Sequence, residues 1–451
     1  MAPIVEPRPT RRLAILVLLT ATVLAGVGCG RVGHRSNPPA TTSSVPTPTT
    51  AEAGPTTTVV QDLSPAQLRT IDELKAQVSE IRGLPWKADI PIRILSPKDL
   101  GARIRQLTLD DLNEHKDEAD ASEAFLKLVG LFPAGLDYVD TLDKVLSSGT
   151  LGYYDDESKE LFVGGNPDTD LSPAARSTMV HELTHALTDQ HFDFGAQMRA
   201  DVDAGRSEES FALSALAEGD AERVRELWSA KHLTAKERRQ VVEGETGGDI
   251  SAFLNAPPYL LSALLFPYVQ GLEFVTGLQR DGGFAAVDAA YRRPPTSSEE
   301  ILHPDVYAAG RGWSAPALPD VAAAAGCQAA DNGNVGEFDM TELLGVHLSD
   351  DVAAKAAAGW NGDAYALLRC GSTVAMVDRW RADRPADLDE LAGALSDWAK
   401  AWSGSSKLGD DGSFAGPDGA GRVIRSGDRV DLVVAGDAST AERLALALPA
   451  S

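Results

Sequence analysis

Five consecutive residues, His181-Glu182-Leu183-Thr184-His185, carry side chains whose types and spacing suit metal-assisted hydrolysis. Residues four positions apart share one face of an α-helix, so the imidazoles of His181 and His185 can reach the same ion. Glu182 lies about 100° around the helix axis, where its carboxylate can take a proton from a water molecule that the ion activates. The pattern predicts a Zn²⁺ site with Glu182 as the catalytic general base. The alternative is a surface helix that carries two histidines by chance.

A catalytic Zn²⁺ takes three protein ligands and keeps one position open, so a third ligand must come from elsewhere in the chain. Glu218 and Glu222 lie four residues apart in an otherwise helical segment and face the same way, whereas Asp220 points elsewhere. We predict Glu218 as the third metal ligand, with Glu222 or Asp220 supporting a ligating histidine from behind. Two alternatives stay open. His191 could be the third ligand, although the motif helix is expected to end before it, or the acids could form a solvated helix face.

The segment from His181 to Leu187, followed by Thr188-Asp189 and by the downstream Glu-x-x-x-acid helix, resembles the gluzincin branch of zinc metallopeptidases, the thermolysin-like arrangement. The order of segments over most of residues 60–400 is also similar to a family of uncharacterised bacterial metallopeptidases that are often lipoproteins. The matching segments are Gly152-Tyr153-Tyr154-Asp155, the His181 motif, Glu218-Gly219-Asp220-Ala221, Phe266-Pro267-Tyr268 and residues 294–304 and 359–363. The resemblance implies a mainly helical, zincin-like catalytic core and zinc-dependent cleavage of a peptide or protein substrate.

Two further features fit peptidase chemistry. A predicted β-hairpin over residues 152–163 precedes the motif helix, as does the edge strand that pairs with an extended substrate in zincins. His303 follows a proline-rich loop and could donate a hydrogen bond to the oxyanion of the transition state, as could Tyr154. The alternatives are an ordinary hairpin and side chains with structural roles.

These residues need a scaffold, and the sequence patterns predict a helical middle followed by a mixed region. Ser172-Pro173 starts the motif helix, which we expect to end near Gln190. Other predicted helices span residues 64–81, 208–232, 259–278 and 386–402, and a last one starts at Thr440. Predicted strands span residues 88–95, 363–370 and 373–380, with a second hairpin over 421–434. The predicted fold class is α+β: a mainly helical core with a small edge sheet (61–310), then a smaller α+β region (311–451).

The N-terminus predicts export. An arginine-containing start and an apolar run that ends at Cys29 indicate a signal peptide over residues 1–28. The small residues before Cys29 resemble the lipobox of bacterial lipoproteins, with Gly26 where a leucine or similar residue is usual. We therefore predict lipidation of Cys29, with simple secretion or an uncleaved anchor as alternatives. Residues 29–60, rich in Thr, Ser and Pro, are predicted to be an extended tether to the membrane.

Composition excludes some classes of function. The 451 residues carry 41 Lys and Arg against 66 Asp and Glu, and the net charge of −25 argues against nucleic acid as a partner. The single long apolar run excludes a polytopic membrane protein. Cys327 and Cys370 are expected to form a disulfide in an oxidising compartment, with two free thiols as the alternative.

Taken together, the patterns predict a zinc-dependent peptidase held at the outer face of the cell membrane, or secreted. Two rival hypotheses remain. The first is a proteolytically silent zinc-binding lipoprotein that acts as an envelope binding or scaffold module. The second is a non-catalytic adhesion module whose motif is fortuitous and which holds no metal.

Overall fold

The fold is described from a computed structural model, which covers residues 63–246 and 251–448. The predicted signal peptide, the tether over residues 29–60 and the lipidation site at Cys29 lie outside the described residues. Within the described residues the fold is α+β, which confirms the predicted fold class.

Helices dominate residues 65–292, with three short strands among them. In chain order the elements are α1 (Pro65–Arg82), β1 (Ile92–Leu95), α2 (Pro97–Glu114), α3 (Lys116–Leu128), α4 (Tyr138–Gly149), β2 (Gly152–Asp155), β3 (Glu160–Gly164), α5 (Pro173–Phe192), α6 (Phe194–Asp203), α7 (Ser207–His232), α8 (Ala235–Thr246), α9 (Ser251–Leu254) and α10 (Pro258–Arg292). The predicted helices over 64–81 and 208–232 correspond to α1 and α7. The predicted apolar helix over 259–278 lies within α10, which is broken at Gly283 (φ 65°) before it ends at Arg292.

The motif lies on α5, which begins and ends at strong local signals. The Ser172 side chain caps its N-terminus by accepting from the Ala175 N–H, and Pro173 takes the first position, where no N–H is needed. Residues 177–189 are all buried, so α5 is a core helix and not a surface helix. It runs on through His191 to Phe192, so the prediction that it ends before His191 is wrong.

A small sheet lies against α5. Its strand order is β1-β3-β2, with β1 parallel and β2 antiparallel to β3. β2 and β3 form the hairpin predicted over residues 152–163, and β2 is the edge strand beside the motif helix. All four residues of β2 are buried, so other parts of the protein cover this edge.

α7 and α10 cross with their backbones in close contact at two glycines. A Cβ on Gly219 would lie 2.1 Å from the carbonyl oxygen of Gly271, and one on Gly271 would lie 2.1 Å from that of Ala215. Within the described residues α10 is also the helix long and apolar enough to cross a membrane, but half of its apolar window is buried. Because α10 packs so tightly on α7, we treat it as a core helix.

The rest of the described chain forms a six-stranded sheet with helices on both faces. The elements are α11 (Ser298–Leu302), α12 (Pro304–Ala309), α13 (Val321–Ala325), β4 (Gln328–Gly333), α14 (Gly336–Gly345), α15 (Asp350–Ala357), β5 (Trp360–Cys370), β6 (Thr373–Ala382), α16 (Pro385–Ser403), β7 (Ser413–Gly416), β8 (Gly419–Ser426), β9 (Arg429–Ala435) and α17 (Ala438–Ala447). The strand order is β4-β5-β6-β9-β8-β7, and all neighbours are antiparallel. The predicted strands, hairpin and helices from residue 363 onwards all correspond to these elements.

Neighbouring residues on each strand of this sheet face two separate cores. Leu367 packs on the face that α16 covers, whereas Leu368 packs on the face that α13 and α17 cover. A disulfide joins Cys327, just before β4, to Cys370 at the end of β5, as the sequence predicted.

One helix from the first half of the chain completes the core of this C-terminal sheet. Ala121 and Phe125 of α3 pack with the residues on the α16 side of the sheet. The Trp402 Nε1–H also donates to the carbonyl of Leu128 over 2.9 Å. This long-range packing, which no local pattern indicated, joins the helical part and the sheet part.

Candidate metal centre

Three predicted ligand atoms converge between α5 and α7. The Nε2 atoms of His181 and His185 lie 3.0 Å apart, and Glu218 Oε2 lies 3.0 Å from the first and 3.2 Å from the second. All three side chains are buried. Within the described residues they are the one group of His, Cys, Asp and Glu side chains close enough to hold a metal ion together.

The spacing of these atoms fits a bound cation better than a hydrogen-bond network. Two ligand atoms of a tetrahedral Zn²⁺ lie about 3.4 Å apart, because each is about 2.1 Å from the ion. The observed triangle is only slightly tighter than that. Three contacts would need three protons if all were hydrogen bonds, but the two Nε2 atoms carry at most one proton each.

The charges around the triangle also call for a cation. Glu182, Glu218, Asp220 and Glu222 are all at least nine-tenths buried. Arg82 pairs with Asp220 over 2.9 Å, and Arg225 pairs with Glu222 over 2.7 Å. In the described residues no lysine or arginine pairs with Glu182 or Glu218, so a bound cation would stabilise the charged form of these buried carboxylates.

The pKa values of the ligating groups show how strongly these buried groups interact. Burial favours the neutral carboxylic acid of Glu218, yet His185 and His181 outweigh it and lower its pKa to about 2. Burial likewise opposes a charge on His181, but Glu218 and Glu222 raise its pKa to about 10. Without a metal ion, His181 therefore supplies the positive charge that Glu218 needs.

Glu222, not Asp220, supports a histidine. Glu222 Oε1 lies 3.1 Å from His181 Nδ1, so it can orient the ring and accept its proton while Nε2 faces the metal position. Asp220 instead contacts Arg82 and the hydroxyl of Tyr291. The prediction of Asp220 as an alternative support for a ligating histidine is therefore wrong, and Asp220 instead joins α7 to α1 through Arg82.

Glu182 lies beside the triangle and against strand β2. Its pKa is raised well above the ordinary value, because burial disfavours the charged form more than the neighbouring His181 favours it. A Cβ on Gly152 would lie 2.7 Å from Thr178 Cγ2 and 3.4 Å from Glu182 Cγ, so only glycine lets the strand approach this closely. The edge strand therefore runs past the predicted general base.

The two residues predicted to stabilise an oxyanion have other contacts. The Tyr154 hydroxyl donates to Asp189 Oδ2 over 3.0 Å. His303 Nε2 lies 2.8 Å from Glu337 Oε1, at the junction with the C-terminal sheet. These contacts do not support an oxyanion role for either residue.

A different tyrosine lies next to the metal ligands. The ring of Tyr268, on α10, packs alongside the ring of His181, with centroids 6.2 Å apart and planes 27° apart. The sequence singled out Phe266-Pro267-Tyr268 only as part of the family resemblance and assigned Tyr268 no role. Its position depends on the Gly219–Gly271 crossing, which no local pattern reveals.

The described centre is closed. His181, Glu182, His185, Glu218 and Glu222 are all buried, and so is β2. A peptide can reach the metal position only if the elements around it separate.

We expect Arg225→Met to weaken metal binding about 10- to 100-fold without unfolding the protein. Arg225 holds Glu222 through its Nε and Nη2 atoms and also pairs with Glu245, so it fixes the carboxylate that orients His181. The measurement is Zn²⁺ affinity by competition with a fluorescent chelator. Arg223→Met is the matched control, because Arg223 contacts Gln279 and Glu226 instead. Equal affinities for the two variants would contradict this role.

The comparisons with known proteins leave this centre without an assigned function. Residues 325–445, which run from the end of α13 into α17, match a family described as Domain of unknown function (DUF8575). No curated protein and no solved structure matches the chain.

Proposed function

We propose that this chain is a zinc-dependent peptidase of the cell envelope. The observation that carries the proposal is the convergence of His181, His185 and Glu218 with Glu182 directly beside them. Two imidazoles and one carboxylate are the ligands of thermolysin-type catalytic zinc sites, which leave one position for chemistry. A purely structural site has no need of a buried carboxylate beside its ligands.

Each residue of the centre has a separate task in this mechanism. When bound, Zn²⁺ acts as a Lewis acid toward water and the substrate carbonyl. Glu182 accepts the proton of the attacking water and passes it to the leaving amine. Glu222 and Arg225 keep His181 in its ligating orientation, and β2 would offer an edge for an extended peptide once the parts of the protein that cover it move away.

The substrate is proposed to be a peptide or protein outside the cytoplasm. This location depends on the predicted signal peptide and on lipidation of Cys29. The Cys327–Cys370 disulfide supports it, because disulfides persist mainly in oxidising compartments.

A second candidate function is a proteolytically silent zinc-binding lipoprotein that acts as a binding or scaffold module. The complete burial of the ligands and of Glu182 favours it, since a closed site suits a structural metal. In that case the metal contributes folding free energy and no reaction.

The deciding experiment uses the full-length chain purified without chelators. We expect about one Zn²⁺ per chain and cleavage of members of a quenched fluorescent peptide library. Chelation should abolish cleavage and added Zn²⁺ should restore it. His185→Ala should lose both zinc and cleavage. His191→Ala is the matched control and should keep both, because His191 Nε2 contacts the carbonyl of Pro85 and His191 is not part of the candidate ligand group.

Two outcomes would count against the peptidase. Zinc-loaded protein that cleaves no peptide but melts at a lower temperature after chelation would favour the scaffold function. Protein that binds no zinc at all would contradict both candidates and favour the fortuitous motif.

A further inference from the structure

A second candidate site lies between the helical part and the C-terminal sheet. It is a cavity of about 110 Å³, referred to below as the interdomain cavity. Its walls come from both parts of the chain and are mainly apolar, among them Phe125, Phe211, Ala263, Leu343 and Met376. An apolar cavity of about 150 Å³ holds benzene, so this one has room for a branched chain of four or five heavy atoms.

Glu208 and Asp339 line this cavity, together with Asp331, which accepts from the hydroxyl of Tyr365. Glu208 accepts from the backbone N–H and the hydroxyl of Ser298 over 2.8 and 2.7 Å. Asp339 accepts from the hydroxyl of Tyr259 over 3.0 Å. In residues 63–246 and 251–448, neither Glu208 nor Asp339 forms an ion pair with lysine, arginine or histidine.

Burial makes the charged forms of Glu208 and Asp339 less favourable, and this raises the pKa values of both carboxylates. Burial raises the pKa of Asp339 to about 7 and that of Glu208 well above its ordinary range. A positively charged group brought into the cavity would remove that cost, because a charge-assisted hydrogen bond favours the ionised carboxylate.

We propose that the interdomain cavity binds a small molecule with a branched apolar body and a primary ammonium head. The apolar walls take the body, and Glu208 and Asp339 accept hydrogen bonds from the head. An anion of similar shape, such as a short fatty acid, lacks the positive charge that favours the ionised carboxylates, so it gains no charge-assisted hydrogen bond here. A metal ion suits the cavity poorly, since the walls are apolar and the described metal-ligating group lies elsewhere.

The cavity is distinct from the metal centre but shares two helices with it. Glu208 lies ten positions before Glu218 on α7, which is about 15 Å along the helix axis. Ala263 and Tyr268 are both on α10. The amine site therefore does not depend on the proposed peptidase function, and a binding measurement tests it without any measurement of peptide cleavage.

The test compares three ligands of nearly equal shape: isobutylamine, isobutanol and isobutyrate. Each is titrated into the full-length chain at constant ionic strength, and dissociation constants come from the shift in melting temperature with concentration. We expect isobutylamine to bind with a dissociation constant on the order of 1 mM, isobutanol about tenfold more weakly, and isobutyrate not at all.

Asp339→Asn should weaken isobutylamine binding about tenfold and leave isobutanol binding unchanged, because asparagine can still accept from Tyr259 but carries no charge. Glu208→Gln should do the same, which guards against misfolding of one variant. Glu342→Gln is the matched control, since Glu342 is on the same helix as Asp339 but is not part of the cavity wall. Equal binding of isobutylamine and isobutanol, or an equal loss in Glu342→Gln, would overturn the proposal, as would no binding of isobutylamine.

Discussion

Glu182→Gln is expected to lower the rate of peptide cleavage on the order of 10³-fold while zinc stays bound. Glutamine has nearly the same shape as glutamate but cannot accept the proton of the attacking water. The ligand atoms belong to His181, His185 and Glu218, so the metal stoichiometry should match that of the unmodified chain. The measurements are initial cleavage rates and zinc content of the same samples.

The variant should also be at least as stable as the unmodified protein. Burial raises the pKa of Glu182, so the charged form costs free energy that the neutral amide avoids. A lower melting temperature with a proportional loss of zinc would indicate misfolding, and the activity result would then carry no weight. Glu226→Gln, an exposed acid on α7 that pairs with Arg223, is the control for removal of a negative charge. Unchanged cleavage by Glu182→Gln would exclude Glu182 as the general base.

Gly219→Ala is expected to destabilise the protein by about 3 kcal/mol and to weaken zinc binding at least tenfold. The new Cβ would lie 2.1 Å from the carbonyl oxygen of Gly271, so α7 and α10 must move apart. Glu218 precedes this residue on α7, and Tyr268 is on α10 beside His181. A shift at the crossing therefore displaces a metal ligand. The measurements are the free energy of unfolding in urea and Zn²⁺ affinity by chelator competition.

Gly277→Ala is the matched control for this substitution. Gly277 is also on α10, but a Cβ there would meet nothing within 4 Å. We expect it to stabilise the protein by about 0.5–1 kcal/mol through higher helix propensity, with zinc affinity unchanged. Similar effects of the two substitutions would show that the helix crossing does not position the centre.

Because the candidate centre is buried, a peptidase built on it would have to open before it could bind a substrate. Every side chain of the centre and the whole of β2 are covered in the described state. A closed centre would protect an envelope from unregulated cleavage, and opening would have to precede binding of a substrate. A positive cleavage assay would therefore require both that the protein opens and that the centre hydrolyses the peptide.

The features that follow from local rules could be read from the sequence. The spacing of His181 and His185 places both imidazoles on one helix face. Ser172-Pro173 starts that helix, because the Ser172 side chain accepts from the Ala175 N–H and Pro173 has no N–H to satisfy. The strands predicted over residues 363–370 and 373–380 lie within β5 and β6. These predictions were correct because each depends on residues within one turn or one strand of each other.

Other features depend on how distant elements meet. Three acids of one segment, Glu218, Asp220 and Glu222, were all candidates for the metal centre. Glu218 contacts the two histidines, Asp220 contacts Arg82, and Glu222 contacts His181 and Arg225. These contacts follow from the rotation of α7 against α5 and α1. Helix periodicity says which residues share a face, but not which neighbour that face meets.

Tyr154 and Tyr268 show the same difference between closeness in sequence and contact in the fold. Tyr154 is close to the motif in sequence but donates to Asp189, whereas Tyr268 reaches His181 across the Gly219–Gly271 contact. The arginine-containing start and the apolar run that ends at Cys29 predict export, and this stays a prediction because those residues lie outside the described ones. The position of Glu182 beside His181 follows from the motif itself, whereas the positions of Glu218, Tyr154 and His303 came from packing, because side chains from separate elements meet only where the backbones allow close approach.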